Sequence, residues 1–213
     1  MKSFGVIFDM DGTLWDSSCQ VTDSWNIIFK KHNLAPITYK DMQNCMGLMM
    51  DDIFKKLLPS CDEEERKIIQ KESEEFENEY LRTHCGVLYD GLEITLKSLK
   101  DSGYSLMIVT NAQDGYVQAF LESSRLSEYF DDFEMFGRTR LSKDENIKQI
   151  VKRNNIQNAV YVGDTYWDYK SSINAGLEFI HAAYGFDEVP EAQWKINTFS
   201  ELKDLVPQIL GRD

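Results

Sequence analysis

Five apolar runs, FGVIFD, YSLMIVT, DDFEMFG, NAVYVGD and GLEFIHAAYG, do most to limit what this chain can fold into. They read as continuous rather than alternating runs, DDFEMFG least so, the pattern of a strand buried on both faces, and the last four are separated by segments of helical periodicity. Strands that alternate with helices build a parallel sheet covered on both sides. The expected fold class is therefore α/β, a parallel sheet core of about five strands flanked by helices. In the connecting segment GLEITLKSLKDSG, Leu92, Leu96 and Leu99 share one helical face and Gly103 is the stop.

Between the first run and the second, residues 19–84 carry almost no strand signal. CQVTDSWNIIFKKHN and DEEERKIIQKESEEFENEYL instead place Trp25, Ile28 and Phe29, then Ile69, Phe76 and Tyr80, at helical spacing. This predicts a block of three to four helices inserted just after the first strand. The resulting division is a core of residues 1–16 and 87–213 with a helical cap of residues 17–86. Ligands of open α/β sheets bind at the carboxyl ends of the strands, so the cap is expected to close over that edge. The acidic run over residues 63–79 reads as a solvated helix face.

The strand ends bring together a particular set of side chains. The first run stops at Asp9, with Asp11 two residues on. Thr110 and Asn111 follow the second run, Lys143 opens the helix after the third, and Gly163, Asp164 and Asp168 follow the fourth. Asp9 and Asp11 repel one another and gain little from folding alone, so a partner outside the chain is implied. Converging with Asp164, they form a hard oxygen site suited to Mg²⁺, with Lys143 and Thr110 as donors to a phosphate.

Plainer readings stand beside these. Ser142 to Glu145, SKDE, reads as a capping box that puts Lys143 in a first helical turn, where a cation opposes the helix dipole by roughly 0.3–1 kcal/mol. Such a cost suits a lysine that holds an anion, but a lysine pointing into water beside Asp144 and Glu145 fits equally. Thr110 and Asn111 alone are turn residues. Asp168 serves a second reading as the last residue of a capping box begun by Thr165.

The totals exclude several classes. A net charge of −13 in 213 residues, with no basic cluster, argues against a nucleic-acid partner but not against a small anion held locally. The start MKSFGVIFDMDG is too short in apolar residues for a secretory signal, and no stretch is long enough to span a bilayer. The expectation is a cytoplasmic protein with no membrane partner. The four cysteines, Cys19, Cys45, Cys61 and Cys85, stand singly, as free thiols rather than a zinc or redox motif. The three histidines share no element and are assigned no chemistry. Oligomeric state has no signature here.

FDMDGTLWDS, IVTN, the lysine of LSKDE and VGDTYWD resemble, in order and spacing, the four signatures of the haloacid dehalogenase superfamily. The narrower likeness is to its phosphatases with a helical cap between the first two signatures, the phosphoglycolate phosphatase and β-phosphoglucomutase group. It covers residues 4–186, the cap matching in position and helical character only. The resemblance implies a Rossmann-like core, a small phosphorylated metabolite as substrate and Mg²⁺ as cofactor. It implies Asp9 as the nucleophile that forms an aspartyl phosphate and Asp11 as general acid and then base. Thr110, Asn111 and Lys143 would hold the phosphoryl group. The metal would take the Asp9 carboxylate, the Asp11 backbone carbonyl and Asp164, with Asp168 as a further ligand or an orienting group. Asp90 stands where such proteins often have proline, and the lysine is followed by Asp144 rather than proline; neither touches a reacting atom. Residues 43–50, with Met46 and Met49, are expected to contact substrate. A mutase lacks its sugar-binding loop in QNCMGLMMDD, a dehalogenase has no use for Asp11 or a metal, and a catalytically idle binding module has no reason to keep the acids.

Overall fold

A computed structural model describes residues 3–211. The chain runs β1 (Phe4–Phe8), β2 (Trp15–Asp16), α1 (Ser18–Lys31), α2 (Tyr39–Gln43), α3 (Met50–Leu57), α4 (Glu63–Thr83) and β3 (Val87–Leu88). It continues through α5 (Leu92–Asp101), β4 (Ser105–Thr110), α6 (Tyr116–Ser124), β5 (Asp132–Met135), α7 (Phe136–Thr139) and α8 (Lys143–Arg153). Last come β6 (Asn158–Gly163), α9 (Tyr166–Ala175), β7 (Glu178–Ala182), β8 (Trp194–Ile196) and α10 (Leu202–Leu210).

The main sheet has the order β5-β4-β1-β6-β7-β8 and every pairing in it is parallel. It contains the α/β core expected from the five apolar runs, plus a sixth strand, β8, whose three residues WKI are too short to carry a pattern. Along β1, Val6 and Phe8 join one apolar cluster and Ile7 the other. Leu92, Leu96 and Val206 of α5 and α10 cover the first face, and Ile147 and Ile150 of α8 the second. Burial on both faces is why the strand sequences are continuously apolar.

β1 is the strand at which the order reverses, paired with β4 through Phe8↔Ile108 and with β6 through Phe8↔Val162. The crevice beyond its carboxyl end is the expected ligand position in a sheet of this kind. Over that crevice lie α1–α4, entered and left through a short antiparallel ribbon in which Trp15 pairs with Leu88 and Asp16 with Val87. The block has its own aromatic centre: Trp25 and Phe54 rings are 4.5 Å apart, with Phe29 against both. No helix among the described residues is long and apolar enough to cross a membrane.

Candidate active site

Asp9 leaves β1 with its amide still bonded to the Val162 carbonyl at 2.9 Å, so the last rung of the sheet fixes its position. The chain then turns tightly, the amides of Thr13 and Leu14 both donating to the Met10 carbonyl at 3.1 and 2.7 Å. Gly12 holds φ +81° in this turn, and a Cβ there would lie 2.1 Å from Asp164 Oδ2. Glycine thus lets the turn approach the carboxylate that follows β6.

Asp9, Asp164 and Asp168 are buried, with ligand oxygens all within 4.8 Å of one another. Lys143 Nζ donates to Asp9 Oδ1 at 2.9 Å and to Asp168 Oδ1 at 2.6 Å. The lysine is itself buried, which removes the reading that it points into water. Nor does SKDE form a capping box: the Ser142 hydroxyl donates to Asp144 Oδ1 at 2.6 Å, leaving it without the capping bond. The box begun by Thr165 does form. Asp168 Oδ2 accepts from the Thr165 amide and hydroxyl at 3.0 and 2.7 Å, and Thr165 Oγ1 accepts from the Asp168 amide at 3.2 Å.

One lysine is too little positive charge for this cluster. Burial, reinforced by the charge of Asp168 and opposed by Lys143, pushes Asp9 up to about 7. Burial, Asp168 and Asp9 push Asp164 well above the usual carboxylate range. Groups that hold protons so strongly are short of a cation, and hard oxygens in close array fit a small dication. Asp164 accepts weakly at Oδ1 from Thr13 Oγ1, at 3.3 Å, and firmly at Oδ2 from the Phe186 amide, at 2.8 Å. Asp168 is committed to Thr165, Lys143 and, at 3.4 Å, the Tyr161 hydroxyl.

The Asp11 side chain stands apart from that cluster. Its Oδ1 accepts from Ser17 Oγ at 2.5 Å and from Tyr116 Oη at 2.8 Å. Burial nevertheless raises it to about 6 against the pull of those two donors. Asp9, Asp11, Thr110, Asn111 and Lys143 line one cavity of about 50 Å³, whereas Asp164 and Asp168 lie outside its walls.

Residues 6–182 match the haloacid dehalogenase-like hydrolase family. The chain belongs to that family. A phosphoglycolate phosphatase of Agrobacterium fabrum is 27% identical over 199 residues, spanning 87% of this hydrolase and 82% of the relative. The crystal structure of a predicted phosphoglycolate phosphatase from Haemophilus somnus superimposes with a TM-score of 0.85 at 22% identity, covering 97% of this chain and 99% of that one. The crystal structure of a β-phosphoglucomutase from Clostridium difficile does so with a TM-score of 0.78 at 18% identity, over 98% and 96% of the two chains. Family and relatives together make the chain an enzyme of phosphatase type.

The helical block supplies the opposite wall of the hydrolase cavity. Of residues 43–50, Met46, Gly47, Leu48 and Met50 reach it, but Met49 faces a neighbouring cleft. The Asn111 amide donates to the Gly47 carbonyl at 3.3 Å, so the residue expected to hold phosphate also touches the block. The acidic face of α4 is not wholly solvated: Glu77 is buried, lines the cavity, and accepts from Trp25 Nε1 at 2.5 Å. Ser17 closes the stretch FDMDGTLWDS but takes no role from it, and Tyr116 and Glu77 have no motif to betray them. For Glu77 the signal was its place on the four-residue stripe Ile69, Ser73, Glu77, Leu81, the buried face of α4.

Proposed function

We propose that this hydrolase cleaves a small phosphate monoester in the cytoplasm by way of an aspartyl phosphate on Asp9. The observation that carries the reading is the contrast between two neighbouring carboxyl groups. Asp9 is fixed by the sheet and paired with Lys143, while Asp11 is turned away from that lysine and held by the Ser17 and Tyr116 hydroxyls. That is the division of labour a nucleophile and a general acid need.

Asp9 forms a bond to phosphorus as the ester oxygen departs, and Asp11 gives its proton to that oxygen. Asp11, now ionised, takes a proton from a water that attacks the same phosphorus, and the bond to Asp9 breaks to release phosphate. Lys143, Thr110 and Asn111 hold the equatorial oxygens through both steps. Asp9 and Asp164, with the Asp11 backbone carbonyl, would hold Mg²⁺, while Asp168 orients Lys143. Bound there, the dication supplies positive charge to the phosphoryl oxygens and keeps Asp9 ionised.

Residues 17–86 act in this reading as a cap that closes over the strand ends and forms the opposite wall of the cavity. The cavity beneath is about 50 Å³, room for a compact leaving group, and a neighbouring cleft of about 420 Å³ shares Gly47, Leu48, Asn111 and Lys143 with it. Phosphate release from a panel of phosphorylated metabolites should need Mg²⁺, stop with EDTA, and fall to background in Asp9→Asn. Release that persists in Asp9→Asn would refute the nucleophile assignment.

A further inference from the structure

Glu77 has no part in the chemistry above, yet it is the one carboxyl group that the helical block presents to the cavity. It is 2% exposed, and no basic side chain among the described residues forms an ion pair with it. Trp25 Nε1 takes one of its oxygens, and the Gln113 side chain is the other hydrogen-bonding group beside it. Around it the wall is apolar, formed by Val21, Trp25, Met42, Met46 and Ile53. Lys143, already paired with Asp9 and Asp168, is the cavity's single basic lining residue.

We infer that Glu77 reads the leaving-group end of the substrate, selecting alcohols that end in a hydrogen-bond donor, ammonium or hydroxyl, over those that end in a carboxylate. The assignment rests on the phosphatase reading and narrows its substrate class. A donor brought against Glu77 adds to its hydrogen bonding, and an ammonium also supplies the counter-charge with which the buried carboxyl group can ionise. A carboxylate in the same place adds a second acid to a dry pocket that has no cation to spare, which works as rejection. Phosphoglycolate, which the names of the relatives specify, has just such an end.

A two-carbon series separates these cases, because its members differ in the terminal group alone: phosphoethanolamine, ethylene glycol monophosphate, ethyl phosphate and phosphoglycolate. For the wild type with Mg²⁺, kcat/KM should be highest for the two donor-ended esters and lowest for phosphoglycolate, and the leading ester tells ammonium from hydroxyl. Glu77→Gln keeps an acceptor for Trp25 and should shrink the ratio of phosphoethanolamine to phosphoglycolate by roughly tenfold or more. A Glu77 that only supports the fold would lower every substrate alike and leave that ratio unchanged, which overturns the inference. Phosphoglycolate equalling or exceeding the donor-ended esters in the wild type overturns it too, whether or not the variant folds. Turnover with a ranking indifferent to Glu77→Gln sinks the selectivity alone, whereas release from none of the series sinks the phosphatase reading with it.

Discussion

Asp9, Asp11 and Glu77 border one cavity, and burial is the largest influence raising the proton affinity of each. Their neighbours make them different. Lys143 opposes the rise at Asp9, whereas at Asp11 the opposition comes from Ser17 and Tyr116. Tyr116→Phe removes a donor that favours the Asp11 carboxylate, so Asp11 should keep its proton to higher pH. If Asp11 is the acid of the first step, kcat/KM falls as pH rises through its pKa near 6, and the variant should move that fall upward by roughly one unit. An unmoved limb in the pH profile would take the acid role away from Asp11. At this scale the sequence was most readable where partners are local. Asp9 and Asp11 sit two apart, and Thr165 and Asp168 three apart, so their pattern was on view. Glu77 was hidden because a glutamate in an acidic helix looks solvated, and its partner Trp25 comes from another helix. The SKDE box failed since a closer carboxylate, Asp144, captured the serine hydroxyl.

Among the elements, the turn between α2 and α3 is where the helical block meets the core. Gly47 has φ +80°, and a Cβ on it would lie 2.9 Å from Thr165 Cγ2. Gly47→Ala combines a left-handed backbone with that contact, costing about 1 kcal/mol from conformation alone. The docked arrangement should weaken, read as a several-fold rise in KM with a smaller change in kcat; equal losses in both would point to general disruption. Strands β1, β4, β6 and β7 were legible because each must be apolar on two faces, whereas the edge strand β5 carries Glu134, buried against Arg138 and Arg153. The ribbon β2–β3 has two residues in each strand, too few to show a period. In α4 the apolar spacing of Ile69, Phe76 and Tyr80 marked a helix, yet the buried stripe runs from Ile69 through Ser73 and Glu77 to Leu81, the face that packs on α1 and borders the cavity.

For the molecule as a whole, buried acids make stability depend on pH in a direction opposite to that of paired surface carboxylates. Glu77 is raised from its ordinary value of 4.5 to about 8 in the folded chain. Between those values the folded state holds the proton and the unfolded state does not. The stability linked to Glu77 is therefore full below the unfolded pKa and lost as pH rises through about 8. Glutamine does not titrate, so the thermal stability of Glu77→Gln relative to wild type should grow from mildly acid to alkaline pH, by on the order of a few kcal/mol in all. A difference that stays flat across that range would mean Glu77 is ionised throughout. The position of β1 has a consequence of its own. It lies inside the sheet with β4 and β6 on either side, so its amides should exchange with deuterium only when most of the core opens. The amides of α1–α4, which meet the core through the ribbon, the Gly47 turn and the packing of α4 on α6 but add no strand to the main sheet, should exchange sooner. Breathing of the helical block would then leave the Asp9 carboxyl group at the end of the slowest-exchanging strand, its position undisturbed while ligands come and go.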